Sequence, residues 1–252
     1  MRVAVRRGWV GRAVLLAALL SGCGGAEVPP GATSGPSGAA STAPGVDGEA
    51  DVERVFTEGE LKAALPPAEV LGRGAEVTRT DLGLFGRYGG GEWTSCAAGN
   101  GPRVEMRGFE GASAQQTVRL AGAAENSRVV TVQLVSMSAG RAERYLEVRH
   151  RLNQACPDVT VDTEAAPVQE HHEAREIAGL GDAALLESTR RTGGDEYDGT
   201  PSYAVHVRVG GVLAIVTSGG DKETSITLAA RATERVRAEL YGVDGAADGA
   251  SG

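Results

Sequence analysis

Two short segments carry residues whose types and spacing could support metal or cofactor chemistry. The run Glu170-His171-His172-Glu173 offers imidazoles and carboxylates, which are common zinc ligands. Residues 179–184, with the sequence GLGDAA, fit the G-x-G-x-x-A pattern of dinucleotide-binding turns. Adjacent residues on a strand or a helix point in different directions, so the histidine run is poorly arranged to chelate one ion. We therefore predict no metal site and interpret the run as a solvated polar segment.

The glycine motif lacks the buried strand that a dinucleotide-binding fold places in front of it. Residues 168–176, directly upstream, are mostly charged or polar. We interpret 179–184 as a turn in which Gly181 supplies backbone freedom and Asp182 accepts hydrogen bonds from local amides. No cofactor is expected.

Common nucleophilic and phosphate-binding patterns are absent from the sequence. It contains no G-x-S-x-G elbow, no S-x-x-K pair and no glycine-lysine phosphate loop. We therefore expect no catalytic residue. Carboxylate pairs assemble only in space, so a weak cell-envelope hydrolase with Asp182 and Glu187 as acid and base is one alternative. A structural envelope protein is another.

The clearest chemical motif is near the N-terminus. Residues 1–12 are basic, 13–20 are apolar, and Leu20-Ser21-Gly22-Cys23 matches a bacterial lipobox, in which small residues precede a cysteine that accepts lipid. The apolar run is too short for a stable membrane span. We predict a lipoprotein signal peptide over residues 1–22 and a palmitate-type lipid on Cys23. The alternative is an ordinary secretory signal followed by a coincidental cysteine.

Composition divides the rest of the chain into three parts. Residues 23–54 are rich in small residues and proline and predict a disordered linker, 55–241 a folded domain, and 242–252 a disordered tail. The formal charge is −8, and it falls to −12 without residues 1–22, which hold four arginines and no carboxylate. This charge opposes binding to nucleic acid. The expected partners are the membrane, through the N-terminal lipid, and an unknown small ligand or envelope protein at the extracytoplasmic face.

Two of the three cysteines, Cys96 and Cys156, lie within the predicted domain. In an exported protein such a pair most simply forms a disulfide. A bridge between them would close a loop of about 60 residues and stabilise the fold by up to ~4 kcal/mol in the chain-entropy treatment. A redox role is disfavoured because the spacing is not C-x-x-C.

Hydrophobic periodicity predicts the helices and strands that must position the candidate residues. A capping box at Thr57 predicts a short helix, and Asp221 caps a second helix that ends the domain. Gly210-Gly211 predicts a two-residue hairpin turn. Strands are predicted at 75–82, 92–97, 103–109, 128–136, 182–190, 203–209 and 212–217, with a further turn at 67–72 and a central helix at 140–155. Consecutive strands joined by tight turns favour an α+β domain, an antiparallel sheet with flanking helices.

A glycine-rich loop leads to Trp93. Arg87, Tyr88 and Trp93 could form a ligand-facing rim, since arginine and aromatic side chains are frequent anchors. The alternative places Trp93 in the core against the disulfide. His150 and His206 are expected on polar faces.

Several motifs resemble those of actinobacterial sensor-domain lipoproteins, which are similar to the extracellular domain of the PknH-type mycobacterial receptor kinase. The resembling segments are 56–65, Trp93-Thr94-Ser95-Cys96, 152–157, Gly179-Leu180-Gly181-Asp182 and the hairpin at Gly210-Gly211. The resemblance implies an antiparallel sheet with a shallow cleft, and sensing or binding rather than catalysis. The family domain carries two disulfides, whereas this chain can form only one. The sequence therefore favours a membrane-anchored, non-enzymatic binding or sensor-like lipoprotein.

Overall fold

A computed structural model of the chain describes residues 51–86, 93, 95–123, 128–162, 167–193 and 199–242. The predicted signal peptide, Cys23 and nearly all of the predicted linker lie outside these residues. Five α-helices occur in the described part: α1 (Glu58–Ala64), α2 (Ala68–Leu71), α3 (Asn100–Met106), α4 (Ala139–Ala155) and α5 (Lys222–Tyr241). A short 3-10 helix, Ala97–Gly99, precedes α3.

Eight strands form one antiparallel sheet, as the predicted fold class requires. The strands are β1 (Glu76–Leu82), β2 (Ala112–Arg119), β3 (Val129–Ser136), β4 (Asp158–Val161), β5 (Val168–Glu176), β6 (Ala183–Thr192), β7 (Pro201–Val209) and β8 (Val212–Gly219). Their spatial order is β1-β2-β3-β8-β7-β6-β5-β4. Strands β1 to β3 form one side of the sheet, and α4 then connects β3 to β4 at the opposite edge. The meander β5 to β8 returns until β8 pairs with β3.

The first face of the sheet is covered by α1, α2 and α5. Alternate residues of the central strands, among them Val132, Leu134 and Val207, are fully buried in one apolar cluster with these helices. The capping box at Thr57 is present: the Thr57 side chain accepts from the Glu60 amide, and the Glu60 side chain accepts from the Thr57 amide. The period-2 pattern thus produces a continuous core on this face.

The second face is covered only in part. Helices α3 and α4 pack over the ends of the central strands, where Val135, Leu185 and Leu213 join a second apolar cluster with Tyr145 and Leu152. Farther along the same strands, most residues facing this side are polar and no described helix lies over them. The part of the second face that α3 and α4 leave uncovered is called the open cleft below.

The long periodic elements match the predictions, and the errors fall on short or polar ones. The predicted strand at 103–109 is wrong, because helix α3 ends at Met106 and takes Pro102 in its first turn, where proline is tolerated. Of the predicted strand at 92–97, residues 92 and 94 lie outside the described residues, and Ala97 begins the 3-10 helix. Strands β2, β4 and β5 were not predicted, and β5 replaces the solvated polar segment expected at the histidine run.

Among the described residues, no helix has both the length and the hydropathy that crossing a membrane requires.

Candidate functional site

The open cleft has a floor of neutral polar side chains. Register places Gln115 of β2 opposite Gln133 of β3, and Thr131 of β3 opposite both Thr117 of β2 and Thr217 of β8. Gln115, Gln133, Thr117 and Thr217 line two adjoining pockets of about 530 and 600 Å³. Cavities of this size hold small molecules.

Glu187 of β6 is the centre of a buried ionic network at one side of the cleft. Its side chain accepts a two-point hydrogen bond from Arg149 of α4, through Nε at 2.8 Å and through Nη2. Asn153 Nδ2 donates to Oε1 at 2.9 Å, and His206 Nε2 lies 3.2 Å from Oε2. Burial alone would raise the pKa of Glu187, but the charges of Arg149 and His206 outweigh it and hold that pKa well below its usual range. Glu187 is therefore ionised and fully engaged.

An aromatic wall adjoins this network. Tyr145 of α4 is buried, its hydroxyl lies 3.4 Å from His206 Nδ1, and its ring contacts Phe85 and Phe109 at centroid distances of 5.7 and 5.5 Å. His206 lies on the polar side of β7, as predicted, but it is only 3% exposed. Strand β7 is buried on both sides, because α4 covers the side that carries His206.

A second buried carboxylate, Glu170 of β5, lies farther along the sheet. Arg191 of β6 donates to it from Nε at 2.7 Å, and His172 Nε2 lies 3.4 Å away. His172 Nδ1 is 3.2 Å from the hydroxyl of Thr189. Glu170 and His172 face the cleft, whereas His171 faces outward and contacts Asp158. The solvated segment expected from the sequence is thus a strand whose inward residues are polar.

Trp93 is buried between the two charged clusters. Its ring lies 5.0 Å from the Arg149 guanidinium and 5.2 Å from the His172 ring. The indole Nε1 is buried and has no hydrogen-bond partner among the residues that the structure describes. Trp93 therefore lines the cleft from within the core and is not an exposed rim anchor. Arg87 and Tyr88, the other two rim candidates, lie outside the described residues.

The predicted disulfide between Cys96 and Cys156 is present. The sulfur atoms are 2.01 Å apart and the Cα atoms 6.1 Å apart. The bridge fixes the segment that follows Trp93 to the end of α4. A Cβ on Gly99 would lie 2.6 Å from Cys156 Sγ, so only glycine fits beside the bridge. The disulfide thus helps to hold in place the helices that cover part of the second face.

The motif at 179–184 forms a turn, as predicted. Gly181 adopts φ +63°, and a side chain there would collide with Val207 and the backbone of Arg208. Asp182 Oδ2 accepts a hydrogen bond from the Gly210 amide at 2.6 Å. The bonded amide belongs to the β7–β8 hairpin and not to the turn itself, so the expectation of local partners is corrected. Asp182 also lines a separate pocket of about 780 Å³ between α4 and this turn.

The carboxylates of the alternative hydrolase reading do not form a pair. Asp182 lies just before β6 and Glu187 lies within it, five residues on, so their Cα atoms are roughly 16 Å apart. Glu170 is opposite Arg191, four residues from Glu187, so the Cα atoms of the two buried glutamates are roughly 14 Å apart, and each carboxylate is bound by a different arginine. No group of three or more potential metal ligands occurs among the described residues.

Sequence reasoning did not single out Arg149, and it considered Glu170, His172 and His206 without placing them in one cleft. A usable signal was present in β5, where Val168, Glu170 and His172 are buried and the residues between them are more exposed. That alternation has a strand period but its inward positions are polar, so hydropathy alone did not reveal it.

Comparison with solved structures gives a weak likeness. The extracellular domain of PknH from Mycobacterium tuberculosis is a structural neighbour, with a TM-score of 0.49 and 14% sequence identity over 74% of this chain and 100% of that domain. It is the domain that the sequence motifs resemble. The sequence matches no protein-family description and no curated protein.

Proposed function

We propose that the chain is a non-enzymatic binding protein held at the extracytoplasmic face of the membrane, and that the open cleft is its ligand site. The observation that supports this proposal is the state of the cleft carboxylates. Glu187 is ionised and accepts from Arg149 and Asn153. A carboxylate so occupied is a poor general acid and a poor nucleophile. The Glu187 carboxylate does, however, join α4 to the sheet and so fixes the geometry of the cleft. A cleft that is already ordered favours binding, because less conformational freedom is lost when the ligand binds.

Retention of an envelope component tests the cleft as a ligand site. Full-length protein in detergent is incubated with a small-molecule extract of the cell envelope and re-isolated, and the bound compounds are identified by mass spectrometry. We expect wild type to retain at least one component that Gln133→Trp does not, because the indole fills the floor of the cleft. Gln169→Trp is the matched control, since Gln169 is exposed on the opposite side of β5.

Identical retention by wild type and a folded Gln133→Trp variant would contradict the proposal. Turnover of a glycosidic, ester or peptide substrate that Glu187→Gln abolishes, without loss of the folded state, would favour the hydrolase instead. Circular dichroism of each variant separates loss of binding from loss of folding.

The proposed anchor is a lipid on Cys23, supported by the basic, apolar and small residues that precede this cysteine. In this arrangement residues 1–22 are removed, 23–54 form a tether, and 55–241 form the binding domain. A tether of about 30 residues has a root-mean-square reach of ~30 Å, enough to hold the domain clear of the lipid headgroups.

Metabolic labelling with an alkyne fatty acid tests the anchor. Cys23→Ala should lose the label and the membrane association, because one modified cysteine is the only proposed attachment. Ser21→Ala keeps a small residue before the cysteine and should label normally. A labelled and correctly cleaved Cys23→Ala protein would overturn the anchor and leave the cleft proposal untouched.

A further inference from the structure

We propose that the open cleft binds a neutral saccharide, an oligosaccharide of a few units that presents vicinal hydroxyl groups. This inference rests on the proposed function, because it names the ligand class of the same cleft. Three features of the cleft support it: its paired charges, its floor of amides and hydroxyls, and an unpartnered indole donor beside an aromatic wall.

Each of the arginines that line the cleft forms an ion pair with a carboxylate. Arg149 pairs with Glu187, and Arg191 pairs with Glu170 at 2.6 Å. At the opposite edge, Arg79 Nε lies 2.7 Å from Asp81 Oδ2. A ligand with net charge would have to break or compete with these pairs, and partners fixed in hydrogen-bonded pairs favour neutral ligands. The arrangement therefore selects against phosphates and carboxylates.

The floor presents neutral hydrogen-bonding groups that the protein itself does not use. The side chains of Gln115, Gln133, Thr117 and Thr217 have no hydrogen-bond partner among the described residues, and all except Thr217 are partly buried. A carboxamide carries a donor and an acceptor side by side, and a hydroxyl can act as either. Two neighbouring sugar hydroxyls present the same combination. The cross-strand pair Gln115–Gln133 therefore matches a vicinal diol.

A buried donor and an apolar wall complete the match. The Trp93 indole N–H lacks a partner in the described part of the chain, and an unsatisfied buried donor costs free energy that a ligand oxygen can recover. Phe85 is half-buried, lines the adjoining pocket against Tyr145, and offers an aromatic surface to the C–H groups of a sugar ring.

The fold disfavours an extended peptide in the same place. Peptides that bind to sheets usually pair their main chain with an exposed strand edge. The floor here is the face of β2, β3 and β8, interior strands whose main chains are hydrogen-bonded to neighbours on both sides. An acyl chain is disfavoured because the floor is polar. A saccharide uses side-chain groups alone, which are what this face offers.

An array of neutral oligosaccharides built from hexoses and pentoses tests the inference, with uronic acids, phosphosugars, short peptides and fatty acids on the same array. Full-length protein in detergent should bind a subset of the neutral saccharides, and titration calorimetry gives the affinity of the best one. Gln133→Leu should weaken that affinity at least about tenfold, through loss of paired hydrogen bonds. Gln169→Leu makes the same change outside the cleft and should leave the affinity unchanged.

A second readout reports on the buried indole. The chain has two tryptophans, Trp9 and Trp93, and Trp9 lies in the segment proposed to be removed, so Trp93 carries the only indole of the mature protein. Its N–H resonance should move downfield when the best saccharide is added, because the proton gains an acceptor. The shift should be absent with a peptide from the array and clearly smaller in the Gln133→Leu variant at the same subsaturating saccharide concentration.

The outcomes separate this inference from the proposed function. If wild type retains a cleft-dependent envelope component but binds no neutral saccharide, the saccharide class is wrong and the ligand site stands. Preference for a peptide, an acyl chain or a charged sugar likewise overturns the inference. If nothing is retained in a cleft-dependent way, the ligand site itself is wrong.

Discussion

The two faces of this sheet are made by the same strands, yet they are stabilised in different ways. On the first face, α1, α2 and α5 bury a continuous apolar cluster in which Leu134 and Val207 are fully shielded. On the second face, α4 covers only one end of the strands, and buried ion pairs and a disulfide accompany the apolar contacts. The difference indicates that the first face is stabilised by continuous apolar packing, whereas the second face adds a disulfide and ion pairs and keeps polar surface available.

The largest expected effect is on the first face, and it can be compared directly between two neighbouring residues of β3 that point to opposite faces. Leu134→Ala should lower the free energy of unfolding by about 3–5 kcal/mol, because it removes fully buried methyl groups from the first face. Gln133→Ala, on the cleft floor, should change it by no more than about 0.5 kcal/mol. Urea denaturation of both variants measures the two changes in the free energy of unfolding. Equal losses would contradict the assignment of continuous apolar packing to the first face.

Loss of the disulfide should come next in size. Cys96→Ala/Cys156→Ala should lower the free energy of unfolding by about 2–4 kcal/mol, because it removes a constraint on a long loop. Hydrogen exchange should accelerate in α3 and at the end of α4, while α5 on the first face keeps its protection. Wild type treated with reductant is the control and should behave like the double variant. Acceleration spread evenly over both faces would show that the bridge does not act on the second face alone.

Removal of the buried carboxylate should have a somewhat smaller effect and should depend on pH. Glu187→Gln should cost about 2–3 kcal/mol at pH 7, because it leaves the partly buried Arg149 without its counter-charge. The folded-state pKa of Glu187 is lowered, so the ionised carboxylate stabilises the fold above its unfolded value of about 4.5. That stabilisation declines as the pH falls below this value toward the folded-state pKa.

Urea denaturation at pH 7 and pH 3 checks this prediction. The difference between wild type and Glu187→Gln should shrink at the lower pH. Glu173→Gln changes an exposed glutamate of β5 and should give no such difference. A constant difference at both pH values would show that Glu187 acts through packing and not through its charge.

The smallest expected effect concerns the first face at alkaline pH. Burial raises the pKa of Tyr241, in the last turn of α5, to about 12. Its hydroxyl donates to the carbonyl of Val209 at 3.0 Å and accepts from the Gly211 amide at 3.2 Å. Tyr241→Phe should cost about 1–2 kcal/mol at pH 7, because it leaves the buried amide unpaired.

The neutral phenol is favoured in the fold, so its stabilisation is present below pH 10 and declines as the pH rises from 10 toward 12. Thermal unfolding of wild type and Tyr241→Phe at pH 8 and pH 11 measures this decline. The two faces should then weaken at opposite ends of the pH scale, the second in acid and the first in alkali. An unchanged difference at pH 11 would contradict the role given to the hydroxyl.

Much of the fold could be predicted from the sequence because its signals are local. The Thr57 capping box, the Gly210-Gly211 turn and the alternating valines of β7 each lie within a few residues, and the structure contains all three features. The disulfide followed from composition alone, since only two cysteines lie in the domain. The lipid on Cys23 is equally local in its signal and stays a prediction.

Only the tertiary structure decided which polar residues share a cleft. Arg149, Glu170, Glu187 and His206 lie on four different elements, and their meeting depends on strand register and on the path of α4 across the sheet. The pairing of distant strands cannot be recognised in a short stretch of sequence. These polar residues are buried at positions that hydropathy predicts to be exposed to solvent. The sequence by itself therefore determined the elements and the covalent bridge, whereas packing between distant elements decided the candidate site.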